Sequence, residues 1–179
     1  MAGLGHIAVG LAAGRFLSSR QGVRLGFAGA ALGLTALSMA PDLDVVGFAL
    51  GIPYEAPLGH RGASHAVATA LLLAGVLASL PRRAGASRPM LFTLVLGVVV
   101  SHGLLDTLTD GGHGIALLWP LDNTRYFAPW RPIPVSPIGR GLLSARGATV
   151  MLAELVGFAP LWVWALWPRG GPRSRLNNE

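Results

Sequence analysis

The chain has no cysteine and no lysine, and only 12% of its 179 residues are charged. Without thiols there is no disulfide and no thiolate metal site, so any bound metal must rest on histidine and carboxylate. The charged fraction is about half that of an ordinary soluble domain. Together with 52% hydrophobic residues and a mean hydropathy of +0.55, this argues against a water-exposed globule. All fourteen basic residues are arginine, against eight acids, for a net charge of +6. They are scattered between apolar blocks and form no basic stripe, which argues against nucleic acid and for anionic lipid headgroups as counter-charge.

What is present is apolar sequence in five segments, at approximately 3–17, 25–41, 65–80, 89–108 and 149–167. Each lies at the short end of the length needed to cross about 30 Å of hydrocarbon. The run 45–51, "VVGFALG", is too short to span and is expected at the surface. Gly10 with Gly14, and Gly29 with Gly33, stand four apart, as close helix contact in lipid requires. Trp162, Trp164 and Trp167 suit an aromatic belt. The N-terminus has no basic stretch ahead of its apolar run, so it reads as a retained helix rather than a cleaved signal. The connection over 109–148 is rich in glycine and proline, yet its aromatic residues favour order. The expected fold is all-α, a polytopic membrane bundle of about five helices with a long ordered loop before the last. It occupies 1–168, with 169–179 as a short polar tail.

Alternating spans would collect the polar residues at one face. His6 starts the first segment, and Asp42 and Asp44 of "PDLD" end the second. His60, Arg61 and His65 start the third, and His102 and Asp106 end the fourth. The opposite face receives Arg15, Arg20, Arg24, Arg82, Arg83, Arg88, Arg169, Arg173 and Arg175. The positive-inside bias makes that face cytoplasmic and turns the polar cluster toward the periplasm or exterior. Arg61, Arg125, Arg131, Arg140 and Arg146 run against the bias.

His102 and Asp106 are four apart and share a helix face. Such a pair is often only a hydrogen-bonded one, but in an apolar helix ionisable groups are costly and point to function. Acids at a helix C-terminus oppose the macrodipole, so Asp42 and Asp44 gain nothing structural there and suit cation binding. Ser64 is placed to cap the third helix. Arg61 suits phosphate through its fork of donors, or lipid phosphate by snorkelling. For Asp110 and Glu154 an ordinary hydrogen bond is favoured over ligation, and His113 stands in the loop as an outlying candidate. The imidazoles and carboxylates exceed the needs of one tetrahedral zinc, which leaves two metals or one metal with an acid–base shell.

"GH" at 5–6, "PDLD" at 41–44, "HRGASH" at 60–65, "SHGLLDTLT" at 101–109 and "LLWP" at 117–120 resemble the YdjM/YbcI-like family of predicted membrane-bound, metal-dependent hydrolases. The resemblance implies an inner-membrane protein whose metal ligands are His6, Asp42, Asp44, His60, His65, His102 and Asp106. The order of these residues is also distantly similar to the zinc-dependent phospholipases C, all-helical enzymes.

The expected activity is hydrolysis of a lipid or lipid-linked (phospho)ester at the outer membrane interface. The cofactor would be one or two divalent ions, zinc first, with Mn, Fe or Ni open. Asp42 or Asp106 would accept a proton, and Arg61, Arg125 and Arg131 would hold phosphate. Trp119, Tyr126, Phe127 and Trp130 would cover the site, Trp130 touching substrate. The alternatives are a metal-ion transporter and a membrane scaffold with a structural metal.

Overall fold

The computed structural model describes residues 1–81 and 85–168. Arg82, Arg83, Arg169, Arg173 and Arg175, and with them the expected polar tail, lie outside the described residues. All five apolar segments are helical, and no regular strand occurs among the described residues. Helix α1 covers Leu4–Ser18, α2 Phe27–Met39, α3 Val46–Ala49, α4 Val67–Ser79, α5 Arg88–Thr107, α6 Ala145–Gly157 and α7 Ala159–Leu166.

Local chemistry sets the ends. Ser87 caps α5 by accepting from the Met90 amide, and Pro89 stands in the first turn, where a missing N–H costs nothing. Ser144 caps α6 through the Gly147 amide, so that helix begins four residues before the expected 149. The last apolar segment is not one rod. Pro160 stands in the first turn of α7, and α6 and α7 meet at 65°. A proline there removes a hydrogen bond and crowds the carbonyl four residues back.

Residues 45–51 also depart from expectation. After α2 the chain tightens into a 3-10 turn, Ala40–Val45, and runs on into α3. The helical path Phe27–Ala49 is therefore 23 residues long, and the short apolar run extends it rather than forming a separate surface piece. By length and apolar composition this path and α5 can each cross a membrane, and the bent α6–α7 pair can be counted as a third span. At 15 and 13 residues, α1 and α4 are shorter apolar helices.

Small residues decide which helices touch. A Cβ on Gly10 would overlap the Thr35 backbone, and one on Gly14 would overlap Ala31. The backbones of α1 and α2 therefore meet directly, as the first glycine pair predicts. The second pair behaves differently: a Cβ on Gly29 would meet only the Leu25 side chain, and one on Gly33 nothing within 4 Å. Ala70 and Ala74 of α4 give a similarly smooth stripe, buried against Val95 and Val99 of α5. The connection before α6 is ordered by isolated bridges between Thr109 and Ile133 and between Ile115 and Tyr126, and by a 3-10 turn at Gly139–Leu143.

Candidate metal centre

Close packing of α1 on α2 brings the start of one helix to the end of the other. The Ser38 hydroxyl donates to the His6 carbonyl at 2.8 Å, which fixes their register. On α5, Val95, Val98, Val99, His102, Gly103 and Asp106 form one buried stripe. Gly103 within it lets the helix approach the His65 carbonyl, since a Cβ there would come within 2.7 Å of that oxygen. His60, Arg61 and His65 arrive on the loop ahead of α4. Arg61 adopts φ +64°, a left-handed conformation uncommon for a non-glycine residue. That turn lets its amide donate to Asp44 and its carbonyl accept from Ala116.

Asp42, His65, His102 and Asp106 each offer one ligand atom, and these four atoms lie within 4.8 Å of one another. Hydrogen bonds behind the rings fix what the atoms are. The Nδ1 of His102 lies 2.7 Å from the Ser38 carbonyl, which can only accept, so Nδ1 carries the proton and Nε2 a lone pair. The Nδ1 of His65 faces the Asp44 carboxylate at 3.2 Å and the Ser64 hydroxyl at 2.9 Å; that hydroxyl itself donates to Asp44. The Nε2 of His65 is thereby left as a second lone pair.

These two Nε2 atoms face each other at 3.1 Å. An Asp42 oxygen lies 3.3 Å from one and 3.6 Å from the other, and an Asp106 oxygen at 3.9 and 3.7 Å. With both rings neutral in these tautomers the four converging atoms are all acceptors, and the Arg61 Nε–H faces the Asp106 oxygen from one side. Buried acceptors so arranged repel unless a cation or proton lies between them, and a carboxylate or carbonyl behind each imidazole is the usual outer ring of a metal site.

The other expected residues fall around this group. His6 is fully buried and stacks on His102 at 3.7 Å; its Nε2 approaches the far oxygen of Asp106 at 3.4 Å. It lies outside the group of four. A second cluster holds Asp42, Asp44 and His60, with His60 Nδ1 at 2.6 Å from Asp44. Arg61 is buried, with Nε 3.3 Å from Asp106 and Nη1 donating to Thr109 Oγ1 and the Gly111 carbonyl. Asp106 also receives the Met1 amine at 2.8 Å.

Beside the four acceptors opens a cleft of about 190 Å³. Asp42, Tyr54, His60 and Arg61 form its polar side. Burial pushes the Tyr54 phenol above its ordinary pKa, with the Arg61 charge opposing. Val45, Val135, Pro137, Ile138 and Leu142 form its apolar side. The long connection thus reaches the cleft through 135–142, not through its aromatic residues. Trp130 is 73% exposed, and Arg131 stacks over Phe127. The Arg125 guanidinium donates to the backbone carbonyls of Tyr54, Ala56, His60 and Gly114, and so holds the His60 loop instead of lining the cleft.

Ser64 does not cap α4, which begins after Ala66 without a side-chain cap; its hydroxyl holds Asp44. Glu154 accepts from the Ala2 and Gly5 amides and so serves the start of α1, while Asp110 accepts from the Val135 amide. His113 is half exposed, near Glu55. Sequence reasoning missed Tyr54 and the Ser38 carbonyl. A backbone acceptor leaves no residue-type signal, and a tyrosine inside a Gly/Pro-rich loop looks like a turn.

The chain matches the model of the YdjM inner membrane protein family over residues 1–170. It is 38% identical over 164 residues to the inner membrane protein YbcI of Escherichia coli (strain K12), which covers 89% of this chain and 88% of that protein. No solved structure matches. The match spans residues 1–170, and the chain belongs to the YdjM family of inner membrane proteins.

Proposed function

We propose that this protein is a metal-dependent hydrolase of the inner membrane, acting at the outer interface on a lipid or lipid-linked phosphoester. The observation that carries the reading is the convergence of four acceptor atoms beside a cleft with one polar and one apolar side. Two nitrogens and two carboxylate oxygens suit zinc, and also Mn, Fe or Ni. When bound, such an ion supplies Lewis acidity and a water acidic enough to lose its proton near neutral pH.

The chain's own groups supply the rest. Asp106 is enclosed by Arg61, His6 and the Met1 amine, whereas the Asp42 side chain is 24% exposed and lines the cleft. Asp42 is therefore the better placed acceptor for the proton of an attacking water. Arg61 Nη1 donates within the protein and Nε lies 3.3 Å from Asp106 as an ion pair without a hydrogen bond, which leaves Nη2 for a phosphate oxygen.

The apolar wall favours a substrate with a hydrocarbon part. Ile138, which lines the cleft, and Leu43, Val46 and Leu143, each next in sequence to a lining residue, are more than half exposed, apolar surface unsuited to water but suited to acyl chains. In this reading all five apolar segments enter the bilayer, several of them short of a full crossing, and the arginine-rich end faces the cytoplasm. Substrate enters sideways from lipid while water arrives from above.

The test is to load the purified protein with zinc and present vesicles containing phosphatidic acid, phosphatidylglycerol and polyprenyl phosphates. Release of phosphate or headgroup that stops with chelator and with Asp42→Asn is expected. No release from any vesicle, together with zinc flux across the bilayer, would overturn hydrolysis in favour of transport.

A further inference from the structure

Asp42, Asp44 and His60 also lie close enough to hold a cation, which raises a centre of two ions bridged by Asp42. The hydrogen bonds argue otherwise. One oxygen of Asp44 meets His60 Nδ1 at 2.6 Å. The other meets the Ser64 hydroxyl at 2.5 Å, the Arg61 amide at 3.1 Å and His65 Nδ1 at 3.2 Å. Each oxygen of an ionised carboxylate has about two lone-pair positions; one Asp44 oxygen is taken up by the Ser64 hydroxyl and the Arg61 amide with His65 alongside, and the other is held by His60. A cation at Asp44 would displace those donors and face the Arg61 N–H.

The backbone explains why two acids two residues apart have different partners. A 3-10 turn has about three residues per turn, so positions i and i+2 point about 120° apart around the axis. Within Ala40–Val45, Asp42 turns toward His65 Nε2 and His102 Nε2, and Asp44 toward the backs of His60 and His65.

The tautomer of His60 follows. With Nδ1 committed to the Asp44 carboxylate, its lone pair is on Nε2, which has no hydrogen bond among the described residues. Edge contacts hold the ring, to Tyr54 at 5.2 Å and 78° and to Phe48 at 5.9 Å and 62°. His60 lines the cleft next to Arg61.

We propose that the centre holds one ion through Asp42, His65, His102 and Asp106, that Asp44 is a positioning residue fixing two imidazoles, and that His60 faces substrate instead of the ion. This rests on the metal-dependent reading above and narrows it: beside a single ion, Arg61 donates to a phosphate oxygen of the substrate and the His60 Nε2 lone pair accepts from a substrate hydroxyl or a water.

The experiment is metal content after dialysis, with competition titration of zinc, on the full chain in detergent. Wild type should carry one ion per chain. His60→Gln should keep it with affinity changed by no more than about twofold, the scale of a substitution outside the binding group. Asp44→Asn should keep one ion but bind it about 10–100-fold more weakly, the usual cost of losing an outer carboxylate. His102→Gln should bind none. Two ions in wild type with one in His60→Gln, or no ion in His60→Gln, would overturn the assignment while leaving metal dependence intact. An ion-free wild type would overturn the metal-dependent reading itself. If Asp44→Asn does not fold, as read by circular dichroism, the count for His60→Gln decides alone.

Discussion

The helices α1, α2 and α5 run between two ends of opposite character. At one end, within a turn or two of their termini, they hold His6, His102 and Asp106, all at 1% exposure or less. From the turn next to that end onward, the same helices contribute Leu17, Ala30, Leu34 and Val98 to a purely apolar cluster. Next to that cluster opens an apolar groove of about 310 Å³ lined by residues such as Leu25, Gly33 and Leu80. Burial has a different meaning at each end. In lipid an apolar side chain gains little by leaving the surroundings, so the apolar end is held by packing alone. At the polar end two imidazoles and two carboxylates are buried against one another, with the Arg61 guanidinium and the Met1 amine on Asp106, and a cation or proton between the facing acceptors would relieve their repulsion.

The largest effect expected from that contrast is in stability against zinc. Adding zinc at about 100 times its Kd should stabilise wild type by about 2.7 kcal/mol. Leu34→Ala, in the apolar cluster, should lower stability by about 2–5 kcal/mol through the space it leaves. Its increment from zinc should remain unchanged. His102→Ala should abolish the increment. Denaturant unfolding in detergent with and without zinc measures both. A zinc increment that survives His102→Ala would remove the difference between the ends.

A smaller effect should separate the two glycine pairs. Gly10→Leu forces a side chain into the Thr35 backbone, and overpacking of that kind costs about 1–3 kcal/mol. Because the α1–α2 contact also sets His6 and Ser38 behind the metal group, zinc affinity should fall with it. Gly33→Ala has nothing in its way, so it should leave zinc affinity unchanged and raise stability by up to about 1 kcal/mol through helix propensity. Equal losses from the two variants would mean that the contact of α1 and α2 does not position the site.

Which parts of this arrangement could be read in the sequence follows from how each is encoded. Apolar runs fix where the chain is helical, because composition over 13 to 20 residues is a strong signal, and the alternation of segments implied that His6, Asp42, His65, His102 and Asp106 would share one end. The structure does bring those residues together. What the sequence left hidden depends on single atoms. The break at Phe158 follows from one proline, and the continuation past Met39 from a 3-10 turn that starts with another. The inner and outer roles of Asp42 and Asp44 depend on about 120° of turn. Arg125 resembles an anion binder by residue type, yet its donors go to backbone carbonyls, which no residue pattern records. The apolar wall at 135–142 was likewise invisible, because isolated bridges, not periodicity, set the path of that loop.

The smallest effect divides the loop into its two sides. Trp130 is 73% exposed and does not line the cleft, whereas Ile138 lines it and is also part of the exposed apolar surface. Trp130→Ala should change stability by no more than about 0.5 kcal/mol and leave vesicle hydrolysis unchanged. Ile138→Asp puts a charge where an acyl chain would pass, so it should slow hydrolysis of vesicle substrate while zinc content stays at the wild-type value. The pairing matters because a charge can also loosen the fold, and retained zinc rules that out. If Trp130→Ala were the slower of the two, substrate would approach over the exposed aromatic side of the loop, as the sequence alone suggests, and the apolar wall of the cleft would serve packing instead of entry.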